Sequence, residues 1–105
     1  MMVDRHKFDA LLGMLSEYVA ELRRLAAVER ATFLADTDKV ASAKYHFVVA
    51  IECCLDLAAH IIASERFRTP ADSADAFTVL VEWGVCPVDL EESLRAMARF
   101  RNRLV

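Results

Sequence analysis

Apolar residues recur at steps of three and four along most of the chain, which is the period of an amphipathic helix. The first such stretch predicts a helix from about Arg5 to Glu29. Its apolar stripe contains Phe8, Leu11, Leu12, Leu15, Tyr18, Val19, Leu22, Leu25 and Ala26. No segment shows the alternation that predicts a strand, so the pattern indicates an all-α protein.

A second helix is predicted after a break at Thr32–Asp38 and extends to about Ser64. Asp36, Thr37 and Asp38 are all candidate N-caps for it. This helix is apolar over most of its circumference, which is typical of a helix at the centre of a bundle or one buried in a dimer.

Two further helices follow a second break at Arg66–Ala71. Ser73 is predicted to cap a short helix that Gly84 ends. Pro87 fits the first turn of the last helix, where its missing N–H has no cost. Because 105 residues suit one domain, we expect residues 1–105 to form a single antiparallel four-helix up-and-down bundle.

Composition adds an expectation about assembly and location. The 56% apolar content is high for a small soluble monomer. We therefore expect a symmetric homodimer whose interface buries the additional apolar surface. The net charge of −3 provides no general attraction for polyanions, so any nucleic-acid site must be local. Three cysteines without a C-x-x-C motif indicate free thiols in the cytoplasm. Apolar runs such as Phe47–Ile51 are too short to span a bilayer, so no membrane association is expected.

One polar line crosses the apolar second helix: Glu52, Asp56 and His60, at steps of four. These side chains could face solvent or be neutralised by arginines of the last helix. Alternatively, they could form a pocket wall that positions a histidine or arginine. A metal site is the weakest interpretation, because one helix face rarely brings three ligands together. No nucleotide-binding or metalloprotease motif occurs either, so neither a metal nor another cofactor is expected.

The last helix has acids at its start and arginines at its end, which complements the helix dipole. Asn102 is the exception, because asparagine is unfavourable inside a helix. It lies between Arg101 and Arg103 and is followed by Leu104-Val105. A purely structural helix has no need of asparagine at this position, so the segment is a candidate functional site.

Three segments carry a resemblance to a known family over almost the whole chain: Ala50–Ala63, Ala76–Val85 and Met97–Val105. The chain resembles the HepT-like group of HEPN-domain proteins, the toxin half of HepT–MntA toxin–antitoxin pairs. In that family the last segment continues with histidine, one residue and tyrosine. Arg101 would be the first residue of the Arg-x4-His signature, and Asn102 the polar residue that usually follows it.

The resemblance implies a metal-independent endoribonuclease of a type VII-like toxin–antitoxin pair. Two subunits would place their signatures in one interfacial cleft. There the histidine would assist attack of a ribose 2′-OH, and Arg101 would offset charge on the phosphate. An MntA-like nucleotidyltransferase would neutralise the toxin by adding AMP to the tyrosine. Two alternatives stay open: a non-catalytic subunit that presents substrate to a nucleotidyltransferase, and a purely structural dimerisation domain.

Helix geometry adds to this interpretation. Arg101 and a residue five positions later are about 140° apart on a straight helix, whereas Asn102 is about 40° from that later position. The helix must therefore break, or two subunits must combine their residues. We hypothesise that Asn102 orients the histidine and that Arg99 and Arg103 hold the RNA backbone.

The histidine and tyrosine of the signature would both come after Val105. We expect the chain to be the ordered part of a longer polypeptide, because termini are often mobile. An intact mass near 11.8 kDa would contradict this expectation.

Overall fold

The computed structural model describes residues 4–105, and within this range all regular secondary structure is helical. There are five α-helices, and a 3-10 turn at Val88–Leu90 precedes the last of them. The helices are α1 Arg5–Ala26, α2 Arg30–Ala35, α3 Thr37–Glu65, α4 Ser73–Glu82 and α5 Glu91–Leu104. The all-α class is confirmed, but there is one helix more than the four we predicted.

The central element is α3, which contacts each of the other four α-helices. It can do so because apolar residues surround most of its circumference. The largest cluster of buried residues joins α3 to α4 and α5, whereas α1 packs along another side of α3. This cluster consists of Ala58, Ile62, Ala74, Ala76, Phe77, Val79, Leu80 and Ala98.

The segment between α1 and α3 differs from the prediction. Helix α1 ends at Ala26 rather than Glu29, and residues 30–35 form the separate helix α2, which overlaps the predicted break at Thr32–Asp38. Glu29 is the cause, because its carboxylate accepts hydrogen bonds from the amides of Ala31 and Thr32 at 3.1 and 3.3 Å. It therefore caps a new helix instead of ending the first one.

Of the three candidate caps for α3, the structure selects Asp36. Its carboxylate accepts hydrogen bonds from the amides of Asp38 and Lys39 at 3.0 and 3.2 Å. Helix α3 then continues to Glu65, close to the predicted end.

The predicted cap of α4 is wrong by one residue. Asp72, not Ser73, accepts the capping hydrogen bond, from the Asp75 amide at 2.8 Å. At the other end the role of Gly84 is confirmed: it adopts a φ of 74°. The Val85 amide donates to the Leu80 carbonyl at 2.8 Å, which closes a Schellman motif.

Pro87 also differs from its predicted place. It has an extended backbone and precedes the 3-10 turn, so α5 begins only at Glu91. Glu91 and Glu92 lie in the first turn of α5, while Arg101 and Arg103 lie in the last. The charge distribution along this helix is therefore as predicted.

Helix α3 also ends in a Schellman motif, but the left-handed residue is Arg66, with φ 57°. A non-glycine residue in this conformation costs about 1–2 kcal/mol relative to glycine. We therefore expect Arg66→Gly to raise the free energy of unfolding by about 1 kcal/mol, measured by urea denaturation. The matched control is Ala63→Gly, inside α3, which should lower it by a similar amount. Equal destabilisation by both variants would contradict the assignment.

Arg68 fastens the connection between α3 and α4 to α4. Its guanidinium donates to Asp75 Oδ2 at 2.7 Å and Oδ1 at 2.8 Å, and to Glu82 Oε2 at 3.0 Å. Asp75 is in the first turn of α4 and Glu82 is its last residue. The hydrogen bonds from Arg68 lower the pKa of both carboxyl groups.

This pairing predicts a pH-dependent contribution to stability. Because the folded-state pKa values of Asp75 and Glu82 are lowered, the stabilisation is complete above their unfolded values of about 4. It is lost as the pH falls through the lower folded values. We expect Arg68→Met to reduce the Tm at pH 7, and the difference from the wild type to shrink steadily towards pH 2. A pH-independent difference would contradict the pairing.

Helix α3 is long and apolar enough, by length and composition, to cross a membrane. The prediction that the apolar segments are too short to span a bilayer was therefore wrong for α3. A core helix of a soluble bundle has the same properties, and α3 packs against every other α-helix. Even so, only 28% of its most apolar window is buried, so much of its apolar surface faces outwards.

Candidate anion site at the end of α5

Arg101 lies in the last turn of α5, on the side that meets α3. Its Nη2 atom is 3.5 Å from Oε1 of Glu52, and its Nη1 atom donates to Oδ1 of Asn102 at 3.1 Å. Its Nε atom is buried and has no hydrogen-bond partner among the described residues. The structure thus brings together three of the predicted site residues and leaves one donor unsatisfied.

This arrangement suits a guanidinium that awaits an anion. An ion pair at 3.5 Å is long, and the two side chains are 33% and 45% exposed, so Glu52 holds Arg101 only loosely. A buried N–H without an acceptor is unfavourable. Because Nε is buried, an incoming oxygen would reach it only after the Arg101 side chain moves. Guanidinium can then bind a phosphate in bidentate fashion.

The other members of the polar line on α3 do not join this cluster. Asp56 is exposed and His60 is half-buried, and neither has an ion-pair partner within the part of the chain that the structure describes. Neutralisation by an arginine of the last helix therefore applies to Glu52 alone. Between residues 4 and 105, no group of three or more metal-binding side chains is close enough to hold an ion.

Arg99 and Arg103 are exposed on α5. Arg99 lines a shallow depression of about 260 Å³. The other lining residues of this depression are Val88, Glu91, Glu92 and Arg95. An extended ligand bound at Arg101 could contact these exposed arginines only by passing over the outside of α5.

Arg95 has a structural contact that the sequence did not reveal. Its Nη1 atom donates to the hydroxyl of Thr78 at 2.7 Å, and that hydroxyl donates to Oε2 of Glu91 at 2.9 Å. This chain of hydrogen bonds ties α5 to α4, away from Arg101. Thr78 carries no sequence signal for this role, because its partners come from another helix.

An aromatic pair positions the end of α5 on α3. The rings of Phe47 and Phe100 meet edge to face, with centroids 5.7 Å apart. They line an apolar groove of about 390 Å³ between α1, α3 and α5. Because Phe100 immediately precedes Arg101, this contact also helps to hold the turn of α5 that carries Arg101.

These observations define the class of protein: it is all-α and has an arginine site at the end of its last helix. Residues 15–105 match the family model described as "Ribonuclease HepT-like". The chain belongs to the HepT-like ribonuclease family. No curated protein matches it.

Solved structures share the fold. A toxin–antitoxin crystal structure with AMP-PNP has a TM-score of 0.85 and 21% identity, over 92% of this chain and 73% of that one. The cytosolic protein YutE from Bacillus subtilis has a TM-score of 0.83 and 22% identity, over 98% and 68%. A mutant of the toxin–antitoxin MntA-HpeT has a TM-score of 0.83 and 21% identity, over 90% and 72%.

Proposed function

We propose that this protein is the RNA-cleaving toxin of a type VII-like toxin–antitoxin pair and that it acts in the cytoplasm without a metal ion. The observation that carries the proposal is the Arg101 guanidinium, held at the end of α5 with an unsatisfied buried donor. Because the chain belongs to a ribonuclease family, we infer that the anion bound at this site is a phosphate of RNA.

In the proposed reaction Arg101 binds a non-bridging oxygen of the phosphodiester. The ribose 2′-OH attacks the phosphorus and loses its proton to a general base, while the bond to the 5′-oxygen breaks and that oxygen gains a proton. The products are a 2′,3′-cyclic phosphate and a 5′-OH. Arg101 offsets the extra negative charge of the transition state. The general base would be the histidine that the family signature places five residues after Arg101.

Asn102 and Glu52 would position Arg101. Asn102 accepts a hydrogen bond from Nη1, and Glu52 holds Nη2 until RNA takes its place. Arg99 and Arg103 would contact the RNA backbone from the outer side of α5. Asp56 and His60, on the same face of α3 as Glu52, would line the cleft formed with a second subunit.

The outward face of α3 supports the proposed homodimer. Residues at helical spacing on this face are exposed: Ala41, Tyr45, Ala59 and Ala63. Glu52 lies seven residues from both Tyr45 and Ala59, so it is at the middle of the same face, within about 20° of each. Pairing of two such faces would bury small and aromatic side chains and bring the two Arg101–Glu52 pairs to one cleft.

The proposed partner is a nucleotidyltransferase antitoxin of the MntA type. Three structural neighbours are toxin–antitoxin structures, and one of them contains AMP-PNP, an ATP analogue. Both features fit inactivation by AMP transfer. The second candidate function is a non-catalytic subunit that presents substrate to the nucleotidyltransferase. The loose pairing of Arg101 with Glu52 favours the catalytic role, because it leaves the guanidinium available to a substrate.

The test is RNA cleavage by the purified full-length protein in excess EDTA. We expect cleavage, products with 2′,3′-cyclic phosphate ends, and loss of cleavage after incubation with the nucleotidyltransferase and ATP. Cleavage only after addition of a divalent cation would contradict the mechanism. Tight binding of the nucleotidyltransferase without any cleavage would support the second candidate.

Asn102 provides a separate prediction. Asn102→Ala removes the acceptor for Nη1 of Arg101, and loss of a hydrogen bond to a charged group should slow cleavage about 10-fold or more. Ser93→Ala, an exposed change on the same helix, is the control and should leave the rate unchanged. Unchanged cleavage by Asn102→Ala would remove Asn102 from the site.

A further inference from the structure

An apolar cavity of about 210 Å³ lies between α1, α2 and α3 and adjoins the groove that Phe47 and Phe100 line. The cavity and that groove of about 390 Å³ share two lining side chains, Leu22 on α1 and Phe47 on α3. Their lining residues also follow a single line along each helix. On α1 they occur at steps of four, three and four: Leu15, Val19, Leu22 and Ala26. On α3 the steps are the same: Ala43, Phe47, Ala50 and Cys54.

Residues at these steps share one face of a helix, so the cavity and the groove form one continuous depression along α1 and α3. We call this depression the α1–α3 groove. From Leu15 to Ala26 it extends about 16 Å along α1. Phe47 and Phe100 are 40% and 42% exposed within it. A long apolar depression of this kind on a small domain is typical of a binding site.

Arg30 gives the α1–α3 groove a polar end. It is the only charged residue among the lining residues, and it lies at the end that α2 borders. Arg30 is exposed and has no ion pair within residues 4–105. The neighbouring Glu29 carboxylate is engaged in capping α2, where it accepts hydrogen bonds from Ala31 and Thr32. The lining therefore presents one positive charge and no negative charge to a ligand.

The dimensions of the groove restrict what can occupy it. Helices border each half on three sides, and the half beside Arg30 has a volume of about 210 Å³. One turn of a helix, about 10 Å across and about 5 Å long, is too large for that space. An extended hydrocarbon chain is thin enough, and its apolar surface matches the lining.

We propose that the α1–α3 groove binds a single-chain amphiphile with an anionic head group, of the class of a medium- or long-chain carboxylate. The hydrocarbon chain lies along α1 and α3, and Arg30 binds the carboxylate at the mouth of the groove. The far end of the chain contacts Met97 and Phe100, whose helix carries Arg101. Occupancy of the groove is measurable without RNA or a nucleotidyltransferase, so the test is independent of the proposed function.

The test is calorimetry of the full-length protein with octanoate, decanoate and dodecanoate, each below its micelle concentration. We expect the Kd to fall about four-fold with each added methylene, because each one buries more apolar surface. Failure of dodecanoate to bind would overturn the proposal.

Arg30→Ala tests the polar end of the groove. Loss of a partly exposed ion pair should weaken dodecanoate binding about three-fold to five-fold. Binding of 1-dodecanol, which has the same chain and no charge, should be the same for the variant and the wild type. Arg23→Ala is the control, because Arg23 is exposed on α1 and does not line the groove. Equal loss for the acid and the alcohol, or no loss for either, would exclude the anionic head group.

Two exposed alanines allow the groove to be shortened from either end. Ala26→Phe obstructs the end beside Arg30 and should weaken octanoate and dodecanoate alike, by about 10-fold or more, because at least two methylenes lose their place. Ala96→Phe obstructs the end beside α5 and should weaken only dodecanoate, whose chain extends that far. Ala20→Phe is the control, at an exposed alanine of α1 that does not line the groove. Circular dichroism spectra identical to the wild type establish that each variant is folded.

Three further outcomes would overturn the proposal. If neither phenylalanine variant changes the Kd of dodecanoate, the ligand binds elsewhere on the protein. Binding to phosphatidylglycerol vesicles but not to monomeric dodecanoate would make the groove a membrane contact. A larger molar mass by light scattering for the wild type than for Ala26→Phe would show that a second copy of the chain covers the groove.

Discussion

Replacing Arg101 by alanine should lower the rate of RNA cleavage by about 10²–10³-fold, the loss expected when one preorganised donor to a transition-state oxyanion is removed. The reason is the position of its guanidinium: two nitrogens are held by Glu52 and Asn102, while Nε has no partner. Arg101→Lys should recover only part of the rate, because lysine keeps the charge but loses the bidentate geometry.

The matched control is Arg23→Ala, which removes an exposed arginine from α1 without touching the site. It should cleave RNA at the wild-type rate. Urea denaturation of Arg101→Ala separates catalysis from folding, because a loose and partly exposed ion pair contributes little to stability. A variant that unfolds at the wild-type urea concentration and still cleaves at the wild-type rate would exclude Arg101 from catalysis.

Glu52→Gln extends the same argument. If Glu52 holds Arg101 until RNA displaces it, removal of its charge should lower KM more than it changes kcat, because the guanidinium no longer has to leave a carboxylate. If Glu52 instead orients Arg101 in the transition state, kcat should fall. Comparing the change in KM with the change in kcat therefore distinguishes the two roles of the Glu52–Arg101 contact.

The sequence predicted the elements whose signals are local. The predicted end of helix α3 lies within one residue of the observed end, because the apolar pattern and the Asp36 cap both lie in the segment itself. Helix α2 was missed because glutamate is an uncommon cap and the helix has only six residues. The start of α5 was placed too early, because Pro87 fits either a first helical turn or the residue before a 3-10 turn.

Contacts between helices could not be predicted in the same way. The spacing of Glu52, Asp56 and His60 places them on one face of α3, but it does not say which of them meets α5. That depends on how α5 packs, through Ala98 in the core and the Phe47–Phe100 contact. The Thr78 contact with Arg95 depends on the same packing, so both appear only in three dimensions.

Phe77→Ala should have the largest effect on stability. Phe77 is 3% exposed in the core shared by α3, α4 and α5. Truncation of a buried phenylalanine costs about 3–5 kcal/mol, from lost transfer free energy and the cavity that remains. Because small domains are stable by only about 5–15 kcal/mol in total, this variant should be close to unfolding at 37 °C.

Phe100→Ala is the matched control, because it also replaces a phenylalanine by alanine. Phe100 is 42% exposed, so its removal leaves no closed cavity and should cost much less. Both free energies come from urea denaturation at one protein concentration, because association would otherwise add to the stability. Equal losses would mean that the end of α5 contributes as much to stability as the buried cluster around Phe77. The fold would then depend on the same contacts that position Arg101, and stability and cleavage could not be varied independently.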